Sequence, residues 1–502
     1  MKTNKLALAV LAFAASLAVS AQTSFDAAKL YEEELNGTAR YIGMGGAMGA
    51  LGSDASVISH NPAGIGTYRT SDINFSIGSF GTSVSTDPLA TKNNMITSNG
   101  RTYYSHNFKS DVNLSFDNFS AIFSGSESGP NYVNFGISYR KLQNMDRNLD
   151  YVDKFFVNDQ GNPNQQYVVY REFKDHQRNK VGSWDFNISA NLSDKLYLGW
   201  TFGVLTSDMW SEGYFYDYYP LDFEADYEDQ AYVVPESAID REHRNYTAAD
   251  KMNQSTGSGW NMSVGAIVRP IPALRLGVAV KSPTYFKQTL EYVDYLYAIM
   301  GEQKDGTKFP AEVDYKFTAP WSLDLSAGLT FGGPAFSMAL GAEYEKHFTQ
   351  RTSLTIGNTR LESQGAIDYK DYSVMKLGVE MNLGQVSLRT GYNYRESMMN
   401  DASYPYLYDT DFNGWKKDSN GNVTEVGRTD FQIDRLGKTQ YFTAGIGYCS
   451  APDSDGTQFY IDLALVHGIR NSVVNVNEYI EDIDVDYKYK SDKVLLSIGW
   501  NF

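Results

Sequence analysis

The last ten residues, KVLLSIGWNF (Lys493–Phe502), decide how the rest of the chain is interpreted. Apolar residues alternate here with small or polar ones, which is the period of a β-strand with one apolar face. The residues on that face are Val494, Leu496, Ile498, Trp500 and Phe502. The segment therefore predicts a strand that has one side in an apolar environment and the other in a polar one.

The same period of two recurs from Ser71 onward. WDFNISANL (184–192), WSLDLSAGL (321–329) and MKLGVEMNL (375–383) are clear examples. The alternating segments centre near residues 75, 119, 136, 188, 201, 264, 278, 324, 340, 379, 391, 445, 463 and 497. This even number of segments suits a bacterial membrane barrel. We therefore predict an all-β fold, a transmembrane antiparallel β-barrel of about 14 strands over residues 71–502.

The connections between these segments alternate in length, which a soluble β-sandwich does not require. Short turns are predicted at 124–131, 193–195, 270–273, 332–334, 384–385 and 450–457. Long polar loops are predicted near 81–112, 142–180, 212–257, 283–317, 348–372, 397–438 and 468–490. Short periplasmic turns and long outer loops are the outer-membrane arrangement.

Composition and charge agree with this interpretation. The formal charge of −17 argues against a nucleic-acid partner. The chain has 37 Tyr and 27 Phe but only 42% hydrophobic residues, as expected when one face of each strand meets lipid. A lipid-facing charge near mid-bilayer costs about 2–4 kcal/mol, so the charged strand residues are expected to face inward. They are Arg140, Asp185, Arg275, Lys281, Asp324, Glu343, Lys376, Glu380, Arg389 and Asp462.

The N-terminus predicts export. Residues 1–21 form a signal peptide, with Lys2 and Lys5 before an apolar run and Val19–Ala21 as the cleavage pattern. The final strand, with its terminal Phe502, resembles the signal that outer-membrane barrels present to their insertion machinery. We therefore expect a multi-pass protein of the cell outer membrane, which contacts its lipid and lipopolysaccharide. Cys449, the one cysteine, has no internal partner.

Residues 22–70 precede the strands and are predicted to form a hatch inside the lumen. Their central stretch, GTARYIGMGGAMGALGSDASVISHNPAGIGTY (37–68), is rich in small residues and nearly uncharged. Short helices are predicted from Asp26 through Leu35, near 47–51, and from the cap-like Asp54 to before Pro62. A compact, irregular segment of this kind fits a plug.

Enzymatic motifs are not found. Gly43-Met44-Gly45-Gly46-Ala47-Met48-Gly49 places Met48 where a dinucleotide loop needs its third glycine, and it follows no strand. No G-x-S-x-G elbow occurs, and the six histidines lack metal-ligand spacing. We expect no enzyme activity, no cofactor and no resident metal. A haem contact at His60 and divalent-ion bridging between the acidic outer loops and lipopolysaccharide remain as alternatives.

Several short motifs resemble the N-terminal hatch of the FadL-type outer-membrane transporters for long-chain fatty acids and other hydrophobic compounds. They are Gly37-Thr38-Ala39-Arg40, Gly43-Met44-Gly45-Gly46-Ala47, Asp54-Ala55-Ser56 and Asn61-Pro62-Ala63-Gly64. The tyrosine-rich strands resemble members from the Bacteroidetes group. The resemblance implies passive uptake of a hydrophobic solute, gating by the hatch and lateral release into the membrane. It implies that Gly43, Gly45, Gly46 and Asn61 to Gly64 belong to the gate.

Because apolar solutes gain nothing in water, binding is expected to use aromatic loop residues. The candidates are Phe215, Tyr216, Tyr219, Phe223, Tyr285, Phe286, Tyr292 and Tyr295. An arginine or lysine would suit a carboxylate. A disturbed strand phase at Asp117-Asn118 predicts a bulge, and is a candidate for the lateral opening. The alternatives are a secretion-associated barrel that docks secreted proteins and an adhesin or structural porin.

Overall fold

The computed structural model describes residues 29–86, 95–98, 101–105, 108–109, 113–126, 129–158, 166–219, 245–300, 303–333, 335–356, 359–362, 369–399, 415–417, 423–426, 432–435, 437–477 and 482–502. These residues form a closed, antiparallel β-barrel of fourteen strands. The predicted signal peptide lies outside the described residues.

The barrel strands follow the chain order. They are β1 (Asp72–Thr86), β2 (Asn113–Phe123), β3 (Asn131–Asn158), β4 (Gln166–Leu192), β5 (Leu196–Tyr219), β6 (Asn245–Ile271), β7 (Leu274–Lys281 and Tyr285–Met300), β8 (Gln303–Thr318 and Trp321–Gly332), β9 (Phe336–Phe348 and Ser353–Ile356), β10 (Tyr372–Leu383), β11 (Val386–Arg395), β12 (Thr439–Cys449), β13 (Gln458–Asn477) and β14 (Asp482–Asn501). Further short strands are Met95–Ser98, Arg101–Ser105, Phe108–Lys109, Thr359–Glu362, Trp415–Lys417, Val423–Val426 and Gln432–Arg435.

Pairing between β1 and β14, with Asp72 opposite Asn501, closes the barrel. Each remaining strand pairs with its sequence neighbour. Each of the fourteen predicted segment centres falls in a different barrel strand, so the predicted strand count is confirmed.

Side-chain alternation sorts the two faces of the wall. On β10, Lys376 is 3% exposed whereas the next residue, Leu377, is 56% exposed. The ten charged strand residues predicted to face inward are all buried or half-buried. Because the outward positions are mainly large and apolar, the outer surface suits lipid and the interior stays polar.

The six predicted short turns are confirmed, and we call their end of the barrel the short-turn end. The predicted long loops are partly wrong, because β3 to β8 continue through much of 142–180, 212–257 and 283–317, and β13 and β14 continue through most of 468–490. Beyond the bilayer a strand no longer needs an apolar outer face. Backbone pairing therefore persists where the hydrophobic alternation has faded.

The strand β7 is interrupted at residues 282–284 and its neighbour β8 at 319–320. Each interruption contains a proline, Pro283 or Pro320, which cannot donate to a sheet ladder. The two breaks lie side by side, since the amide of Ala319 donates to the carbonyl oxygen of Thr284 at 2.9 Å.

Ahead of β1, residues 30–68 contain one α-helix, α1 (Ala39–Gly43), and two 3-10 helices, Ala55–Ser59 and Pro62–Thr67. The helix predicted to start at Asp54 is confirmed. The helix predicted near 47–51 is wrong, because residues 47 and 48 are irregular and residues 49–51 form a turn. The helix predicted through Leu35 is also wrong from Leu30 onward. Lys29 is helical, but residues 30 and 31 form a turn and residues 32–35 are not helical. Within the described residues, no helix is long and apolar enough to cross a membrane.

Candidate functional site

Residues 29–68, which we call the luminal segment, lie inside the barrel against the inward faces of many strands. The segment contacts β11 through Gly45, β9 through Gly49 and β5 through Pro62. Its folding is local. Thr38 caps α1 by accepting from the amide of Tyr41, and Asp54 caps the first 3-10 helix by accepting from Ser56. These caps satisfy backbone donors that are buried inside the barrel.

The Asn61-Pro62-Ala63-Gly64 motif is seated on β4 to β7. Asn61 is fully buried and caps the second 3-10 helix by accepting from the amide of Ala63 at 3.2 Å. The carbonyl oxygen of Pro62 accepts a 2.6 Å hydrogen bond from Ser189 Oγ of β4. The wall residues opposite the motif are glycines, since a Cβ on Gly199 would lie 2.3 Å from the carbonyl carbon of Pro62.

Wall glycines also receive the Gly43–Gly49 stretch. A Cβ on Gly378 would lie 2.3 Å from the carbonyl oxygen of Met44, and one on Gly391 would lie 2.1 Å from the amide of Gly45. These two wall glycines are direct register partners on β10 and β11. Gly45 and Gly46 have φ of 63° and 81°, which side chains rarely adopt. Backbone thus packs directly on backbone along this side.

Two layers of buried ion pairs join the luminal segment to the wall. In the layer nearer the short-turn end, Arg40 holds Glu380 through Nε and Nη2, both at 2.9 Å. Arg389 bridges Glu380, at 2.6 Å, to Asp462, at 2.5 Å. Bidentate guanidinium–carboxylate pairs fix orientation as well as charge.

The second layer centres on Lys376, which lies four residues before Glu380 on β10 and so further from the short-turn end. Its ammonium contacts Glu343 at 2.6 Å and also Glu345. His60 of the luminal segment lies 3.2 Å from Glu345 and 2.9 Å from Nη1 of Arg140. Burial and the nearby Lys376 ammonium lower the pKa of His60 to about 3. His60 is therefore neutral at physiological pH.

The same layer contains the set of possible metal ligands found among the described residues. Ligand atoms of His60, Glu343 and Glu345 all lie within 4.8 Å of one another. Lys376 already places its ammonium against both carboxylates. The lysine ammonium fills the position that a metal cation would take. The cluster therefore links the luminal segment to the wall through ion pairs and hydrogen bonds.

Above these layers, toward the long-loop end, inward-facing apolar residues of β3 to β10 pack together. We call this group the apolar cluster. Its members are Leu30, Tyr31, Leu142, Val181, Leu205, Met209, Phe286, Leu290, Tyr315, Phe317, Ala319, Leu354, Tyr369, Tyr372, Val374 and Met399. Leu30 and Tyr31 belong to the luminal segment, so the start of that segment fills the apolar part of the lumen.

One arginine borders the apolar cluster. The guanidinium of Arg395 lies 5.9 Å from the ring centre of Tyr372, and its Nη1 donates to the carbonyl oxygen of Glu33 at 2.8 Å. Among the described residues it forms no ion pair within 4 Å. The Glu33 carboxylate is instead held by Lys281 at 2.9 Å. A guanidinium with no described carboxylate within 4 Å, at the edge of an apolar region, suits an amphiphile with an acidic head.

The barrel wall has a gap beside this cluster. The strands β2 and β3 pair only over Asn118–Phe123 and Phe135–Arg140. Toward the long-loop end, β2 stays on β1 as far as Asn113, and β3 stays on β4. The β1–β2 register shifts at Asp117, which confirms the predicted bulge. We call the opening between Asn113–Asp117 and the strand β3 the lateral gap.

The luminal segment covers the inner side of the lateral gap. The amide of Glu34 donates to the carbonyl oxygen of Leu142 at 2.9 Å, and Asn36 Nδ2 donates to that of Lys141 at 2.6 Å. These carbonyls belong to the free edge of β3, which would otherwise be unsatisfied at membrane depth. Leu142 is also a member of the apolar cluster, so cluster and gap adjoin.

No family model and no curated protein matches the sequence. In structure, the chain is similar to a FadL homologue of Pseudomonas aeruginosa, with a TM-score of 0.55 at 13% identity over 94% of this chain and 99% of the other. It is also similar to the toluene transporter TodX of P. putida, with a TM-score of 0.51 at 15% identity over 94% and 99% of the two chains.

The chain has the fold of the FadL-type barrels. At this identity the likeness concerns the fold, and the site residues are those of this chain alone. The FadL-type fold predicted from the hatch motifs and the strand count is thus confirmed.

The predicted ligand residues that the structure describes all lie in strands and not in loops. Phe215, Tyr216 and Tyr219 lie on β5, and Tyr292 and Tyr295 lie on β7. Phe223 lies outside the described residues.

The adjacent pair Tyr285 and Phe286 is divided between the two faces of β7. Phe286 is 3% exposed and belongs to the apolar cluster. Tyr285 is 41% exposed on the outer face, where its ring packs on Trp260 with 4.8 Å between centroids. Of these two candidates, only Phe286 therefore faces the lumen.

Sequence reasoning missed most of the apolar cluster of this FadL-type barrel. Its members sit one or two to a strand, at inward positions that are elsewhere polar. The sequence pattern that could have predicted them is an apolar residue at an inward position, out of phase with the lipid-facing apolar residues of its strand. Leu205 and Leu290 are examples.

Proposed function

We propose that this protein carries hydrophobic compounds passively across the outer membrane and releases them sideways into the bilayer. The observation that carries the proposal is the contact between the apolar cluster and the lateral gap, with one stretch, residues 30–36, filling the first and covering the second. A solute that enters the cluster competes with Leu30 and Tyr31. Their displacement pulls on Glu34 and Asn36.

A route along the barrel axis, from the apolar cluster to the short-turn end, is costly for an apolar solute. Along β10 the inward residues are Val374 in the cluster, Lys376 in one ion layer, Gly378 against the luminal backbone and Glu380 in the other layer. Breaking a buried ion pair costs about 3–5 kcal/mol. The lateral route needs hydrogen bonds of about 1 kcal/mol each to open and leads into lipid.

The gating role is best divided between two parts of the luminal segment. Gly43, Gly45, Gly46 and Asn61 to Gly64 pack on wall glycines and hydrogen-bonding side chains, which favours a fixed seat. Residues 30–36 contact the wall through side chains and a few hydrogen bonds, and we propose that they are the part of the segment that moves. The hatch as a whole remains our proposal for residues 22–70.

The preferred solute class is a long-chain fatty acid or a related amphiphile. The cluster offers aromatic and aliphatic side chains for a chain, and Arg395 offers a cation for a carboxylate at its edge. A filled lumen with an apolar core is unlike an open polar porin. Docking of secreted proteins would use the outer loops, which lie largely outside the described residues. We propose no enzymatic activity. Contacts with lipopolysaccharide and the insertion machinery remain predictions.

The test is binding of labelled palmitate to the purified barrel in detergent, with a matched pair of inward valines. Val374 belongs to the apolar cluster, whereas Val466 belongs to the packing around α1. Val374→Asn places an amide in the site and should weaken binding by about 1–3 kcal/mol, or 5- to 150-fold. Val466→Asn should leave affinity unchanged. Equal affinities in both variants would exclude the cluster as the binding site.

A further inference from the structure

We propose that the short-turn end of the barrel contains a second binding site, which takes a small carboxylate with an apolar body. A cavity of about 310 Å³ lies there between the luminal segment and β7 to β10. Its lining includes Arg40, Ser53, Arg275, Ala339, Glu380 and Asn382. This volume is at the lower end of the range of small-molecule sites, about 300–1,000 Å³.

The cavity is separate from the apolar cluster. Both are lined by β10, the cluster by Val374 and the cavity by Asn382. Eight residues of strand span about 26 Å, at about 3.3 Å per residue. Between them lie the ion layer of Lys376 and the contact of Gly378 with Met44, while the Arg40–Glu380 pair forms part of the cavity wall. A ligand at one site therefore does not occupy the other.

The two arginines of the cavity differ in what they already bind. Arg40 donates through Nε and Nη2 to Glu380 and through Nη1, at 2.7 Å, to the carbonyl oxygen of Ser53. Its charge is paired with Glu380, and each of its three nitrogens already donates one hydrogen bond. Arg40 thus forms part of the wall of the cavity and is not its anion receptor.

Arg275 has unused capacity. Its Nη1 donates to the carbonyl oxygen of Leu51, while its Nε is buried without a hydrogen-bond partner. Among the described residues no carboxylate lies within 4 Å of it. A half-buried guanidinium that lines a cavity and has no counter-ion among the described residues calls for an oxyanion.

The remaining lining sets the rest of the ligand. Leu51 and Ala339 supply apolar surface, and the Asn382 amide, bonded to Ser337 Oγ at 3.1 Å, supplies a polar edge. A body of one ring or a short chain fits this volume, whereas a long acyl chain does not. The site therefore discriminates by size against the solute proposed for the apolar cluster.

The experiment is calorimetric titration of the purified full-length barrel in detergent with benzoate, benzyl alcohol and inorganic phosphate. Benzoate should bind at least tenfold more tightly than either of the others. Equal binding of benzyl alcohol would overturn the role of charge. Equal binding of phosphate would overturn the role of the apolar body.

Variants assign the binding to this cavity. Arg275→Gln should weaken benzoate at least tenfold. Arg269→Gln should not, since Arg269 is an exposed arginine of the same end that bonds to Pro272. Ala339→Leu fills the cavity from the opposite wall and should also abolish binding, which covers the case of an unfolded Arg275 variant. Unchanged benzoate binding in folded Ala339→Leu, or its loss in Arg395→Met, would place the ligand elsewhere and overturn the proposal.

Discussion

The side-chain amide of Asn36 donates a 2.6 Å hydrogen bond to the carbonyl oxygen of Lys141, across the place where β3 has lost its neighbour β2. The oxygen of the same amide accepts from Lys493 Nζ at 2.9 Å, and Lys493 lies 3.3 Å from the bulged Asp117. One asparagine of the luminal segment thus joins the two sides of the lateral gap.

Replacing Asn36 by alanine should loosen this closure. The loss of hydrogen bonds worth about 1 kcal/mol each should raise the population of the open gap about fivefold or more. We expect a correspondingly faster initial uptake of labelled palmitate into proteoliposomes. Asn74→Ala is the control, because Asn74 is a buried asparagine of β1 that bonds Tyr460 away from the gap. Equal rates in the two variants would argue against the gap as the exit.

The seat of the luminal segment should be sensitive to single methyl groups on the wall. Gly378→Ala places a Cβ only 2.3 Å from the carbonyl oxygen of Met44, so the backbone of the segment must shift. We expect higher conductance in planar bilayers and faster proteolysis within residues 40–50. Gly81→Ala, on the same barrel but with nothing within 4 Å of the new Cβ, should change neither. Unchanged conductance and proteolysis in Gly378→Ala would show that the contact accommodates the added methyl group.

Seating of the segment should weaken in acid because of His60. Its pKa of about 3 when docked is below the value near 6.5 of an undocked histidine. The undocked state therefore takes up a proton first as the pH falls. Docking should lose about 1.4 kcal/mol per pH unit between about 6.5 and 3.

Hydrogen exchange of residues 55–65 measures this loss, and exchange should rise as the pH falls from 7 to 4, after correction for intrinsic rates. The Glu345 carboxylate, the Arg140 guanidinium and the Lys376 ammonium face the ring from the wall. His60→Gln removes only the histidine component. The same slope in His60→Gln would assign the effect to the carboxylates.

Arg395 should contribute to the binding of fatty acids and not to the binding of fatty alcohols. Hydrogen bonds to a charged group are worth about 1.5–3 kcal/mol, so Arg395→Met should weaken palmitate about 10- to 150-fold. Hexadecanol should bind as before. Arg178→Met, which removes another stacked arginine 4.8 Å from the ring centre of Trp210, is the control. Parallel losses for both ligands would point to packing instead of charge.

Local patterns predicted a large part of this molecule. The fourteen strands, the six short turns and the inward charges follow from a period of two and from the cost of a charge in lipid. The 3-10 helix after Asp54 follows from its cap. The helix near 47–51 failed because Gly45, Gly46 and Gly52 adopt positive φ, and the true helix, Ala39–Gly43, begins at the Thr38 cap.

The sequence by itself determined which face each strand turns to the bilayer, because a one-residue slip would place every charge in lipid. Only the tertiary structure decided what meets inside. Closure of the barrel brings Leu142 of β3, Val374 of β10 and Leu30 of the luminal segment into one apolar cluster. Contacts between residues this distant in the chain depend on strand register and barrel closure, which no local pattern encodes. The same closure leaves the edge of β3 free at Lys141, where Asn36 covers it.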